Sequence, residues 1–265
     1  MPGPRCSILL VRDFEDSTLW RVSEYDRVRQ TTGTSGFDRL SSVASATVLP
    51  STLLADLRRL DADPSSNDVL EVVAACMRHR QAALLVLHHD GLVWPVTLFP
   101  TQMMYHAPIS LHDAARERTV VGLSDLRVLE TEPAGVRVPG PWLLAPTVDP
   151  AQASHYRELQ PLLWALALDG PRPTPLSEIA GTAAYRAIRC PAQEEGLATP
   201  GSLASACERL RRETVALRTI ASWPAMNVER AGRLLNALYL AGALLVSRTH
   251  PAARSGPKSG WRFGR

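Results

Sequence analysis

The side chains that could do chemistry are scattered along this sequence, and their spacing assembles no complete catalytic set. His88 and His89 are neighbours, so on one strand they point to opposite faces and cannot chelate a metal ion together. Ser124 and Ser259 lie in fragments that lack the glycines of a nucleophile elbow and of a phosphate-binding loop, respectively. We therefore expect no catalytic residue, metal site or cofactor, and an enzyme whose residues converge only in three dimensions is a minor alternative.

Composition narrows the class of protein. The 265 residues are 45% hydrophobic, which is enough for one large core or two ordinary ones, and we favour two domains. The longest nearly unbroken apolar stretch, residues 234–246, contains Asn236 and is shorter than the roughly 20 residues of a membrane span. The first residues lack the apolar core of about 7 to 15 residues that is typical of a signal peptide. We expect a cytoplasmic protein without membrane insertion.

Four cysteines, Cys6, Cys76, Cys190 and Cys207, are widely spaced and form no Cys-x-x-Cys pair. This spacing matches neither a zinc site nor the dense disulfide framework of a small secreted domain. The sequence therefore predicts free, buried thiols.

Charge is unevenly distributed between the two halves of the chain. Residues 151–265 carry 14 arginines and 1 lysine against 8 acidic residues, a balance of +7. Residues 1–150 carry 14 arginines against 18 acidic residues, a balance of −4. The basic C-terminal half indicates either a surface for an anionic partner or a contact between the two halves.

The pattern of residues 1–132 is typical of a mixed α/β domain. A β-prone run at residues 7–11 predicts a first strand. Apolar residues at helical spacing predict a helix over residues 68–79, and a second helix is expected at about residues 111–118.

A β-hairpin is the clearest feature of this first domain. Two apolar runs, residues 83–87 and 92–99, flank a turn that ends in Asp90-Gly91. Asp-Gly is favoured in tight hairpins because glycine accepts a positive φ. Further strands at residues 103–106 and about 126–130 would extend the hairpin into a meander within a mixed α/β layer.

The proline-rich segment 133–150 predicts a linker between domains, because proline continues neither a helix nor a sheet ladder easily. Beyond it, residues 151–265 are typical of a mainly helical domain. Helices are expected at residues 156–168 and 176–180, followed by a long helical stretch from about 202 to 222.

The last fifty residues predict a compact module with a fixed order of elements. Asn227 is suited to cap a helix, and Pro251 ends a strand because proline has no N–H to donate. In order, the segment reads as helix 214–221, turn 222–226, a helix from Asn227 to about 241, strand 243–249, basic loop 251–260 and short strand 261–263.

Three runs in this module, residues 217–221, 230–238 and 241–248, resemble the winged-helix domains that are common in bacterial regulators. The resemblance covers about fifty of the 265 residues and implies a helix-turn-helix followed by a β-hairpin wing. It leaves the function open, because winged helices bind DNA, bind proteins or serve as structural modules.

The second helix of the module has a predicted inward and a predicted outward face. At about 100° per residue, the inward stripe includes Ala231, Leu235 and Leu238. The residues expected to face outward are Glu229, Arg230, Arg233, Ala237 and Leu240.

Two functions compete for this outward face. A non-enzymatic regulatory or adaptor protein that acts through protein–protein contacts is favoured, because Leu240 suits a protein surface and Glu229 repels phosphate. The alternative is a DNA-binding transcriptional regulator, in which Arg230 and Arg233 lie near phosphates or guanine edges. Arg254 and Lys258 of the basic loop would then contact the adjacent backbone. A third interpretation leaves both arginines merely solvated, with Leu240 packed on a neighbouring helix.

Overall fold

The architecture is taken from a computed structural model, which describes residues 20–21, 68–89, 92–107, 127–133, 155–191, 197 and 199–254. Two antiparallel sheets and several helices make up this described part, so the expected mixed α/β content is confirmed.

Helix α1 (Val69–His79) begins at a side-chain cap and ends at a left-handed residue. The Asp68 carboxylate accepts a hydrogen bond from the Leu70 N–H at 2.9 Å, which satisfies one of the free donors of the first turn. Arg80 closes the helix with φ 51°. The predicted helix over residues 68–79 is thereby confirmed.

The first sheet contains six strands within the described residues: β1 (Trp20–Arg21), β2 (Ala83–His89), β3 (Leu92–Phe99), β4 (Met104–His106), β5 (Arg127–Pro133) and β6 (Tyr156–Glu158). Their order is β5-β2-β3-β4-β6, with β1 paired to the start of β3. The hairpin of β2 and β3 is antiparallel, with Ala83 opposite Leu98, and β4 places His106 opposite Thr97. The predicted hairpin, meander and later strand are confirmed.

Three predicted features of the N-terminal region lie outside the described residues. They are the strand at 7–11, the helix at 111–118 and the Asp90-Gly91 turn.

Helix α2 (Leu159–Asp169) is shorter than the helix predicted over residues 156–168, because its first three residues form strand β6 instead. Strand β6 pairs with β4, and the Arg157 guanidinium donates to the Ala107 carbonyl oxygen at 2.8 Å. A strand that follows the predicted linker therefore completes a sheet that begins before it. One cluster of buried side chains also extends across both regions, and the division into two domains stays a prediction.

The C-terminal region contains three strands and four helices within the described residues: β7 (Ala184–Ala187), α3 (Gly201–Arg212), β8 (Val215–Ala216), α4 (Leu217–Ala221), α5 (Val228–Leu240), β9 (Leu244–Ser247) and α6 (Pro251–Arg254). The three strands form the second sheet, in the order β8-β7-β9. Tyr185 of the central strand pairs with Val215 on one side and with Val246 on the other.

The predicted helix-turn-helix is confirmed in its second half and corrected in its first. The Asn227 side chain caps α5 by accepting from the Arg230 N–H at 2.7 Å, as its position predicted. The helix expected at 214–221 forms over residues 217–221 and is corrected at its start, because residues 215–216 pair with β7 before α4 begins. The loop expected from residue 251 is also corrected, because Pro251 starts α6, where proline is tolerated at the first helical position.

Strand β9 forms within the predicted span 243–249, and its described partner is β7, which precedes the helices in sequence. The predicted returning strand at 261–263 lies outside the described residues. The winged-helix assignment therefore stays a prediction.

A segment without regular structure, residues 170–178, lies between α2 and β7 in the chain, and we call it the strap. It carries Pro171, Pro173 and Pro175, and the helix predicted at 176–180 is reduced to one turn after these prolines. Asn236 of α5, with no exposed surface, accepts from the Leu176 N–H at 2.8 Å and donates to the Thr174 carbonyl oxygen at 2.9 Å.

The opposite side of the strap is bonded to the first turn of α1. Arg172 forms ion pairs with Asp68 at 2.5 Å and with Glu71 at 2.9 Å. The buried Glu71 carboxylate also accepts from the Ser177 N–H at 2.8 Å. The Glu71 charge is thus paired and hydrogen-bonded, which offsets the desolvation that burial imposes.

Asn236→Ala is expected to lower the free energy of unfolding by about 2 kcal/mol, because it leaves the buried Leu176 N–H without a partner, whereas the Thr174 carbonyl oxygen keeps the Arg172 guanidinium as a donor. Urea denaturation followed by circular dichroism measures the change. The matched control is Asn227→Ala, which removes an exposed helix cap and should cost about 1 kcal/mol. Equal losses in the two variants would contradict the role given to Asn236.

A disulfide joins Cys190, which follows β7, to Cys207 of α3, with the Cα atoms 6.1 Å apart. The prediction of free thiols is therefore wrong for this pair. The sequence could not show it, because the two residues meet only once α3 folds back onto the sheet. Cys76 is a free and buried thiol, as predicted, and burial raises its pKa to about 12.

In the unfolded, unreduced chain, Cys190 and Cys207 should not react with Ellman's reagent, and all four cysteines should react after reduction. The joint substitution Cys190→Ala and Cys207→Ala should lower the free energy of unfolding by about 3 kcal/mol, because the crosslink closes a loop of 17 residues. Four reactive thiols before reduction would rule out the disulfide.

His106 lies in a buried cluster on β4 and packs against Tyr156 at 4.8 Å between ring centroids. Burial lowers the pKa of His106 to about 4, and the nearby His155 and Arg157 act in the same direction. His106 is therefore neutral in the folded protein near pH 7.

Stability is expected to fall as the pH is lowered from about 6.5 towards 4. In this window the unfolded chain binds a proton at His106 that the folded protein excludes, which costs up to about 3 kcal/mol. His106→Gln should remove this part of the pH dependence, measured by denaturant unfolding at each pH. A pH profile unchanged by the substitution would contradict the assignment.

Candidate binding surface

The two arginines predicted to face outward on α5 make bonds inside the protein. The Arg230 guanidinium donates to the Ser202 hydroxyl at 2.5 Å. The Arg233 guanidinium donates to the carbonyl oxygens of Leu168 and Gly170 at 3.1 and 2.7 Å, and it pairs with Glu229 at 3.1 Å. Arg233 therefore satisfies carbonyl groups at the end of α2, where a cation also offsets the helix dipole.

The outward face predicted for α5 is wrong for its two apolar members. Leu240 is only 7% exposed and Ala237 only 1%, in a helix that packs against both α2 and α4. The inward residues Ala231, Leu235 and Leu238 are buried as predicted. A helix that buries apolar residues on several sides lies within a core, and α5 does so here.

The structure does not bring the remaining predicted site residues together with Arg230 and Arg233. Arg254 is exposed at the end of α6, a helix where the sequence predicted a loop. Lys258 lies outside the described residues.

A groove of about 450 Å³ opens instead between the outer face of the second sheet and α3. The strand pair and the residue after β7 supply three of its exposed side chains, because Arg186 lies opposite Leu245 in the register and Ile188 directly follows β7. Within β7, Arg186 is exposed and its neighbours Tyr185 and Ala187 are buried. The groove is lined by Arg186, Ala187, Ile188, Glu208, Arg211, Arg212 and Leu245.

Helix α3 forms the charged wall of this groove. Its inner face buries Leu203, Ala206, Cys207 and Leu210, so Glu208, Arg211 and Arg212 lie on the solvent side. Arg211 pairs with Glu208 at 3.3 Å, and the Arg186 guanidinium donates to the Arg211 carbonyl oxygen at 3.2 Å. Three guanidinium groups against one carboxylate give the lining an excess of positive charge.

The disulfide fixes the spacing of the two walls. Cys190 follows Ile188 by two residues, and Cys207 precedes Glu208 directly. The crosslink therefore holds the strand wall and the helix wall at a constant separation.

The chemistry offered by the groove is that of binding. Guanidinium groups donate paired hydrogen bonds to planar anions, and the aliphatic side chains provide apolar contact area. Among the described residues, no group of three or more His, Cys, Asp or Glu side chains is placed to hold a metal ion. The described helices include none that is long and apolar enough to cross a membrane.

Comparison with protein-family models, with curated proteins and with solved structures gave no match to this chain. The interpretation of the groove therefore depends on its own residues and geometry.

Sequence reasoning missed Arg186, Ile188 and Leu245. Residues 184–188 form a short β-prone run, which is a signal for a strand. Ile188 breaks the alternation of polar and apolar residues, however, so the pattern does not reveal which face is exposed.

Proposed function

We propose that this chain is a regulatory or adaptor protein that binds a partner protein through its C-terminal module, and that the groove between the second sheet and α3 is the contact surface. The observation that carries the proposal is the exposure of two neighbouring aliphatic side chains, Ile188 at 60% and Leu245 at 51%, beside three arginines. Exposed apolar side chains clustered with arginine are characteristic of protein interfaces.

The position of α5 supports a protein partner over a DNA duplex. A recognition helix must enter the major groove with its outer side chains free. Arg233 is bonded to α2, and Leu240 is buried, so α5 contributes to the core of the module. The proposed winged-helix module then contacts its partner through its sheet.

Site-specific photo-crosslinking tests this proposal. Benzoylphenylalanine replaces Leu245 in one variant and Val228, which is 63% exposed outside the groove, in the matched control. In cells that naturally produce the chain, position 245 should give a discrete protein adduct, identified by mass spectrometry, and position 228 should not. Equal adducts at both positions would overturn the proposed contact surface.

A duplex titration tests the competing function. Phosphate contacts are strong at about 50 mM salt, and a DNA-binding groove would show its affinity there. We expect no duplex binding that depends on Arg211 and Arg212, measured by fluorescence anisotropy. Duplex binding that weakens at least tenfold in Arg211→Glu or Arg212→Glu, together with no protein adduct at position 245, would replace the adaptor function with nucleic-acid binding.

A further inference from the structure

We infer that the groove binds a short, extended acidic segment of the partner protein, in which an Asp or Glu is followed two residues later by Val, Ile or Leu. This inference rests on the proposed function. It specifies the chemistry of the partner from the charge and spacing of the lining residues.

The charge of the groove selects for carboxylates. Glu208 is already paired with Arg211, so the lining has no unpaired acidic group of its own. The Arg212 guanidinium is exposed and makes no hydrogen bond or ion pair with the described residues. Guanidinium and carboxylate groups match in shape and form two parallel hydrogen bonds, so Arg212 can join Arg186 across the groove in binding an incoming Asp or Glu.

The spacing of the strand wall selects for an extended segment. Arg186 of β7 and Ile188, which directly follows this strand, are both exposed and line the groove two residues apart, a separation of about 6.6 to 6.8 Å in extended chain. An extended peptide repeats its side chains with the same period of two residues. An Asp or Glu placed over Arg186 therefore brings the side chain two residues later over Ile188 or towards Leu245.

Two other occupants fit the groove less well. Residues 255–265 of this chain contain Lys258, Arg262 and Arg265 without an acidic residue, so their charge opposes binding beside three arginines. A nucleic-acid backbone would pair with the arginines but would set phosphates near Glu208 and offer little apolar contact for Ile188 and Leu245. An acidic peptide with aliphatic side chains satisfies both parts of the lining.

Binding of a synthetic peptide to the full chain tests the inference. The probe is a fluorescein-labelled peptide of seven residues, Glu and Val in alternation, and its control has Lys in place of each Glu. Fluorescence anisotropy at about 50 mM salt should show saturable binding of the Glu peptide alone. The affinity should fall as salt is raised, because the contacts involve exposed charges.

Matched substitutions test whether the peptide binds in the groove. Arg212→Glu should weaken binding at least tenfold, whereas Arg218→Glu makes the same charge change at an exposed arginine outside the groove and should leave the affinity within about twofold. Leu245→Ser should also weaken binding, with Val228→Ser as its control. Thermal unfolding of each variant verifies that the fold is retained.

The outcomes separate this inference from the proposed function. If Leu245 crosslinks to a protein but the Glu and Lys peptides bind equally, or if Arg212→Glu has no more effect than Arg218→Glu, the inference is overturned and the adaptor function stands. If position 245 gives no protein adduct at all, the proposed function itself fails.

Discussion

The arrangement of the whole described structure depends on the strap at residues 170–178 and on the polar groups that hold it. Three prolines keep the strap from forming a helix or a sheet ladder, so side chains provide its hydrogen bonds. They belong to Asn236 of α5, to Glu71 of α1 and to Arg172 of the strap itself. Gly232 permits the close approach, because a Cβ atom there would lie 2.5 Å from the Pro173 carbonyl oxygen. Helices α1 and α5 are thereby both bonded to the strap through polar contacts.

This attachment determines which surfaces remain for binding. Helix α5 packs against α2 and is bonded to the strap, and its two arginines donate hydrogen bonds to other groups of the chain. Arg233 stabilises the end of the neighbouring helix α2. Exposed arginines of residues 151–265 lie instead on α3, as Arg211 and Arg212, and on the outer face of the second sheet, as Arg186. This distribution of arginines is the physical basis for proposing a protein rather than a DNA duplex as the partner.

Local signals in the sequence were sufficient for several elements, and contacts between distant residues account for the failures. Asp68 and Asn227 mark helix starts because a cap acts within three residues, and the pairing of β2 with β3 follows from two apolar runs that flank an Asp-Gly dipeptide. The disulfide joins residues 17 apart, and Arg233 bonds to carbonyl groups more than 60 residues away. No periodicity encodes such contacts, so the outward face of α5 and the groove itself could not be predicted.

The pairing of β6 with β4 limits how this protein can be divided. Strand β6 follows the proline-rich segment, yet it forms the edge of a sheet whose other strands precede that segment. A fragment that starts at residue 151 would lose the strands on which β6 depends and would leave apolar surface of α2 without cover. Recombinant fragments cut at the prolines would consequently be prone to aggregation, and binding studies need the intact polypeptide.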